Sequence, residues 1–258
     1  MHDHRLNVHP LPKLVAGNAL AGSTVVVIDL LRASTTICQA VASGATEVVP
    51  FLEIADAMAA ADAAMDRDQI ILGGERGGRR IDGFDLGNSP AEFTPKAVGG
   101  RRVFLTTTNG TRALNHARLA QRVVVGSFVN LSAVADSVRE EPRVDILCAG
   151  TAGEVTREDL LAAGALVEAI CFSDVSARNM NESAVAARGE WRQLCETARA
   201  AGQTVNERLA IELRDTLGGR NVLSIGMDQD LVDCAQIDAL DVVPELDIRQ
   251  WRIRAARG

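Results

Sequence analysis

Tyrosine is absent from this chain of 258 residues, and aromatic residues make up only 3% of it. So few aromatics exclude a stacking platform for single-stranded nucleic acid and argue against an aromatic-anchored interface. Lysine is nearly missing: of 27 basic residues only Lys13 and Lys96 are lysines, and the other 25 are arginines. Against them stand 34 acidic residues, for a formal net charge of −7. That balance excludes the broad basic face that nucleic-acid binding requires. The five cysteines, Cys38, Cys148, Cys171, Cys195 and Cys234, are odd in number and form no C-x-x-C. A disulfide framework and a cysteine zinc site are thereby excluded, and the expected setting is reducing and cytoplasmic. No cationic stretch followed by an apolar core opens the chain, so no signal peptide is expected. No apolar run approaches the roughly 18 residues of a membrane helix. His2 and His4 are read as terminal residues without a functional role.

What the chain does have is aliphatic: hydrophobic residues make up 47% and charged residues 24%. That is the composition of a globular protein with a sizeable core, in one large domain or two small ones. Short β-branched runs alternate with Ala-rich segments of helical period. Strands are expected at 25–28, 47–51, 70–72, 103–105, 123–125 and 144–147. Helices are expected at 35–42, 54–65, 111–120, 131–139, 157–172, 190–201 and 208–217. This alternation predicts a three-layer α/β/α fold on a mostly parallel, mixed sheet. Residues 73–100 read as a long functional loop, and 249–257 as a basic, solvated end. The segments from Ile28 to Phe51 and from Leu105 to Val129 share the order strand, Thr-rich turn, Ala-rich helix, strand. Convergence and internal duplication both account for that repeat.

Chemistry is expected where strands meet helices, because ligands of open α/β sheets bind at the carboxyl edge. In VVVIDLLRASTT (25–36), Asp29 ends a buried strand. Ser34, Thr35 and Thr36 then open a helix whose N-terminus favours anions. Arg32 adds a planar fork suited to phosphate or sulfonate. A second such turn, LTTTNGTR (105–112), offers Thr107, Thr108, Asn109, Gly110, Thr111 and Arg112. The Gly-rich segment from Gly73 to Pro90 mixes carboxylates (Glu75, Asp82, Asp85) with Arg76, Arg79 and Arg80. It lacks P-loop spacing, and its oxygen ligands suit Mg²⁺. Small residues after the strand at 144–147, including Gly150 and Thr151, leave room for a ligand. Thr156 and Asp159 form a variant capping box. Cys148 is read as a small buried hydrophobe. Asp228 and Asp230 are candidates to supply a metal or close the pocket.

Taken in order, VVVIDLLRASTT (25–36), GERGGRRIDGFDLGNSP (74–90), LTTTNGTRAL (105–114), CAGTAGE with REDLLAAGAL (148–166) and DLVDCAQID (230–238) resemble the 2-phosphosulfolactate phosphatase (ComB) family of coenzyme M biosynthesis. The resemblance implies a single ComB-like domain over residues 1–258; the restart of the strand–helix rhythm divides it into two α/β subdomains, about 1–100 and 101–258, and the polar, helical stretch near 175–215, which carries little of the resemblance, reads as a helical insertion. It also implies Mg²⁺-dependent hydrolysis of the phosphate ester of a 2-hydroxy acid, and a homodimer. On that footing Asp29, Arg32 and Arg76 are the expected catalytic groups. Asp29, Glu75 and Asp85 are the expected metal ligands. The substrate-binding set is Ser34, Thr35, Thr36, Arg79, Arg80, Thr107, Thr108, Asn109, Gly110, Thr111, Arg112, Gly150 and Thr151. The partner is a small anionic substrate, with no nucleic acid and no membrane. The alternatives are a non-hydrolytic anion-binding or regulatory protein, and an isomerase or lyase acting on phosphorylated acids.

Overall fold

The computed structural model describes residues 4–172 and 178–256. It is an α/β structure with a large mixed, mostly parallel sheet. The first part contains β1 (Arg5–His9), β2 (Thr24–Ile28), α1 (Ala33–Ala42), β3 (Glu47–Phe51) and α2 (Ile54–Asp62). Next come β4 (Ile70–Arg76), β5 (Arg79–Arg80), α3 (Pro95–Val98), β6 (Arg102–Thr106), α4 (Gly110–His116) and β7 (Arg122–Val125). They are followed by α5 (Leu131–Val138), β8 (Arg143–Cys148), α6 (Arg157–Phe172), β9 (Asn179–Met180) and α7 (Glu182–Ala200). The chain ends with α8 (Val205–Arg214), α9 (Leu217–Ser224), α10 (Asp228–Cys234), β10 (Pro244–Asp247) and β11 (Arg252–Ala255).

The strand order is β5-β4-β6-β3-β11-β10-β7-β2-β8-β1-β9. Two parallel blocks, β4-β6-β3 and β7-β2-β8-β1-β9, flank an antiparallel hairpin. β2 shows why the layers are three. All five of its residues are buried, as in strands covered on both faces. Val26 and Ile28 point into the core shared with α5, α6 and α7, whereas Val25 and Val27 face the core shared with α1 and α4. The period of two along the strand thus feeds both helix layers.

The internal repeat acquires a topological meaning. Each unit crosses between the blocks: β2–α1–β3 goes one way and β6–α4–β7 the other. β2 pairs with β7, and β6 pairs with β3. Exchanging the two units leaves this pairing unchanged.

Several expectations need correction. The segment from 73 to 100 is not one loop. β4 runs on to Arg76, turns through Gly77-Gly78 into β5, and α3 follows later. The basic end is not merely solvated. Arg252, Ile253 and Arg254 alternate on β11 in mid-sheet, with Ile253 buried and both arginines on Glu47. Strand β1 was not expected, although buried Leu6 and Val8 alternate with more exposed residues. α4 stops at His116, short of the expected 120, and α7 starts at Glu182, eight residues before the expected 190. His2, Ser173 and Arg257 lie outside the described residues.

Candidate active site

The turns after β2 and β6 converge. A Cβ placed on Gly110 would stand 2.6 Å from Ala33 Cβ and 2.9 Å from Asp29 Oδ2. Glycine at 110 is therefore what allows α4 to start against α1. Beside this meeting point lies a cleft of about 320 Å³. Its walls include Asp29, Arg32, Glu75, Gly77, Gly78, Asn88, Thr108, Asn109 and Thr151, closed on another side by Gly218 to Ile225. A wider depression over the hairpin is lined by Arg249 and by three arginines committed to ion pairs, Arg122 on Glu245 and Arg252 and Arg254 on Glu47. In the cleft at Asp29, by contrast, Asn88 Oδ1 and Thr108 Oγ1 are buried without a partner.

Asp29 is buried at the end of β2, where the Ala33 N–H at the start of α1 reaches its carboxylate. Burial pushes its pKa well above the usual carboxylate range, and the charges of Asp159, Glu75 and Glu158 push it further. Among the described residues no basic side chain is paired with it. The turn itself is rigid. The Asp29 N–H donates to Ser34 Oγ at 2.8 Å, and the Ser34 N–H returns a bond to the Asp29 carbonyl at 2.8 Å. Thr35 donates to the Leu30 carbonyl and meets Ser127, and Thr36 donates to the Asn88 carbonyl. These three hydroxyls hold the turn and do not line the cleft.

Arg32 does reach the cleft. It is buried, with Nη1 on Asp230 Oδ2 at 2.6 Å and Nη2 on the Gly78 carbonyl at 2.6 Å. Ser89 holds the other Asp230 oxygen at 2.5 Å. Asp230 thus anchors Arg32 from α10 without lining the cleft, while Asp228 stays at the surface with Arg214. Glu75 ties the Gly-rich hairpin to the second turn, accepting the Thr108 N–H at 2.7 Å and the Gly78 N–H at 2.8 Å. Thr107 caps α4 through the Thr111 N–H, and Thr111 donates back to the Thr107 carbonyl. Those two are structural, whereas Thr108 and Asn109 line the cleft.

The remaining arginines are elsewhere. Arg76 is spent on its own Glu75 carbonyl and on the Leu52 carbonyl, and Arg80 donates to the Asp85 carbonyl. Arg79, Arg80 and Arg112 are exposed and none of these four lines the cleft. Asp85 is also outside it, accepting the Leu72 N–H at 2.8 Å. Of the third turn, Thr151 lines the cleft, and the Gly150 N–H donates to Asp159 Oδ2.

Two groups that define the site carried no expectation as site residues. Asp159 accepts the Leu30 N–H and the Gly150 N–H, each at 2.9 Å, and so ties the turns after β2 and β8 together. Burial and then the charge of Glu158 push its pKa up to about 7. Glu158 receives the Gly218 N–H at 2.9 Å, where a Cβ on Gly218 would stand 2.2 Å from Glu158 Oε1. Its Oε2 is buried without a partner. Cys148 is buried and its thiol is pushed up by burial and by Asp159, which is the state of an inert core cysteine.

Asp29, Glu75, Glu158 and Asp159 concentrate negative charge at one edge of the sheet, which a cation would relieve. No group of three or more His, Cys, Asp or Glu stands at metal-holding geometry among the described residues. Mg²⁺ does not require one, since it commonly takes one or two carboxylates and keeps waters or phosphate oxygens. The donor chemistry therefore fits Mg²⁺ on Asp29 and Glu75. No helix is long and apolar enough to cross a membrane among the described residues.

Comparison with known proteins points the same way as the geometry. A probable 2-phosphosulfolactate phosphatase of Symbiobacterium thermophilum is 41% identical over 226 residues, covering 87% of this chain and 91% of that protein. One from Synechococcus sp. is 39% identical over 249 residues, covering 94% of this chain and 96% of its own length. One from Caldanaerobacter subterraneus is 34% identical over 229 residues, covering 88% and 89%. The family described as 2-phosphosulpholactate phosphatase matches residues 10–248, a span that takes in every wall of the cleft. The chain belongs to the 2-phosphosulpholactate phosphatase family.

Proposed function

We propose that this protein hydrolyses the phosphate monoester of a 2-hydroxy acid, converting 2-phospho-3-sulfolactate to 3-sulfolactate and phosphate, with Mg²⁺ as cofactor. The observation that carries the reading is Asp29: a buried carboxylate at a strand end, on the wall of a substrate-sized cleft, with no basic side chain paired to it among the described residues. Monoester hydrolysis without a catalyst is extremely slow, and charge neutralisation must supply much of the acceleration. Bound at Asp29 and Glu75, Mg²⁺ would neutralise phosphoryl oxygens and lower the pKa of a coordinated water.

The chain's own groups do the rest. Arg32, fixed by Asp230 and the Gly78 carbonyl, presents a guanidinium to the phosphate at a set angle. The N-terminus of α1 adds its partial positive charge. Walls from α9 and the Gly77-Gly78 turn restrict the entry of water. Asp29 is the central group, as the acceptor of the phosphoryl group or of a proton from the attacking water. Rapid-quench recovery of phosphate bound to Asp29 assigns the first role; its absence, with turnover still dependent on Asp29, assigns the second.

The test is phosphate release from 2-phospho-3-sulfolactate and other phosphorylated 2-hydroxy acids, with Mg²⁺ and with EDTA. Release that EDTA abolishes and Mg²⁺ restores is expected. No release from any of these esters would overturn the assignment and favour a binding protein.

A further inference from the structure

The substrate of the proposed reaction carries acidic groups besides the reacting phosphate, and the arginines expected to hold them are outside the cleft. Arg32 is the basic residue on its wall, and it is already engaged by Asp230. Apart from the carboxylates Asp29 and Glu75, what lines the rest is neutral. Asn88 stands out: it is only 4% exposed, lines the cleft, and its Oδ1 is buried with no partner. Its side chain makes no hydrogen bond to any described residue, yet its backbone is pinned. Thr36 donates to the Asn88 carbonyl at 2.9 Å, and the neighbouring Ser89 is held by Asp230. Thr108 repeats the pattern, with its N–H fixed by Glu75 and its Oγ1 buried and unpartnered. A buried amide normally uses its donors and acceptor, because leaving them unpaired forfeits their hydration without replacement. Two such groups, held in place on one wall and left unused, are what a polar ligand would complete.

We infer that Asn88, with Thr108, forms a neutral subsite that hydrogen-bonds the non-reacting acidic group of the substrate, a sulfonate or carboxylate. This rests on the proposed phosphatase reading. The amide supplies two donors, and its orientation can reverse to present them to an anion. A neutral donor pair also suits the place, since a second unpaired cation beside Arg32 would repel it. Discrimination follows from the same physics: a ligand lacking the acidic group leaves the amide unpaired again.

The experiment compares Asn88→Ala with wild type on three phosphate esters. These are 2-phospho-3-sulfolactate, 2-phospholactate, which lacks the sulfonate, and the phosphate ester of 2-hydroxyethanesulfonate, which lacks the carboxylate. Wild type is expected to prefer the first in kcat/KM. The variant should shrink that preference by about tenfold or more over the ester lacking the group that Asn88 reads, mainly through KM. Losses equal on all three esters, or no loss on any, would overturn the subsite. If wild type hydrolyses none of them, the phosphatase reading fails by itself, and binding decides the subsite. Thermal stabilisation by 3-sulfolactate that disappears in the variant supports it, and stabilisation that persists refutes it. Asn88→Ser, a smaller change in polarity, serves if the alanine variant does not fold.

Discussion

Asp29 and Asp145 are both buried carboxylates on the inner strands of one sheet, and their surroundings push them in opposite directions. Asp145 on β8 receives Asn7 and His9, each at 2.9 Å, and faces Arg143 at 2.9 Å. Burial alone would raise its pKa, but the hydrogen bonds from His9, Asn7 and Ser23 and the charge of Arg143 outweigh it and hold the carboxyl low. Asp29 has burial and three neighbouring carboxylates acting together, with only a backbone N–H in opposition. A carboxylate that serves the fold is surrounded by donors. One left among like charges is held there by the rest of the fold, as function requires. The contrast can be broken or sharpened by experiment.

The largest expected effect is on turnover. Asp29→Asn should lower phosphate release by about 10³-fold or more, while the thermal midpoint at neutral pH stays level or rises, because a buried repulsion is removed. Near-normal Mg²⁺-dependent turnover in this variant would remove Asp29 from the centre of the mechanism. Asp145→Ala should do the reverse. It strands Arg143 and His9 beside an apolar core and should cost about 3–5 kcal/mol in denaturant unfolding. The fraction that remains folded should keep its activity per active site. A loss of turnover without a loss of stability would mean that Asp145 belongs to the chemistry.

The pH dependence separates the two kinds of carboxylate. Asp159 keeps its proton in the folded protein up to about pH 7, whereas the unfolded chain releases it near the ordinary carboxylate value of about 4. The folded state binds more protons between those values, so stability from this group falls as pH rises through that window. Asp145 is held low, so its contribution is present above the ordinary value and is lost as pH falls through its folded value. Thermal midpoints measured in EDTA from pH 4 to 8 should show Asp159→Asn gaining on wild type as pH rises. A constant offset across that range would refute the assignment. The smallest effect is expected at the surface. Arg79→Ala and Arg112→Ala should each change stability by no more than about 0.5 kcal/mol and kcat/KM by less than about twofold. A tenfold loss in either would return the exposed arginines to the substrate site.

Much of the frame was legible in the residues. The Val run of β2, the Ala-rich period of α1 and the Asp29-to-Thr36 turn are signals contained within a few positions. The placement of a carboxylate at a strand end before a helix followed from them. The chemistry of the arginines was not legible, because an Arg in a Gly-rich segment looks the same whether it faces a ligand or a backbone carbonyl. Arg76 turned out to be spent on carbonyls, and Arg32 depends on Asp230, 198 positions away. β1 and β11 were missed for a related reason: their short alternation becomes a strand only when a partner from a distant part of the chain pairs with it.

The sequence by itself determined the α/β alternation and the position of Asp29 at the carboxyl end of a strand. Tertiary structure decided which groups meet around it. Glu158 and Asp159 came to lie behind the cleft, holding the N–H groups of Gly218, Gly150 and Leu30. Asn88 was left there with its amide unused. Hydrophobic period and turn chemistry act over neighbouring residues and can be read along the chain. Burial, charge proximity and unpaired hydrogen-bonding groups depend on which distant segments pack together, and these set the character of the site.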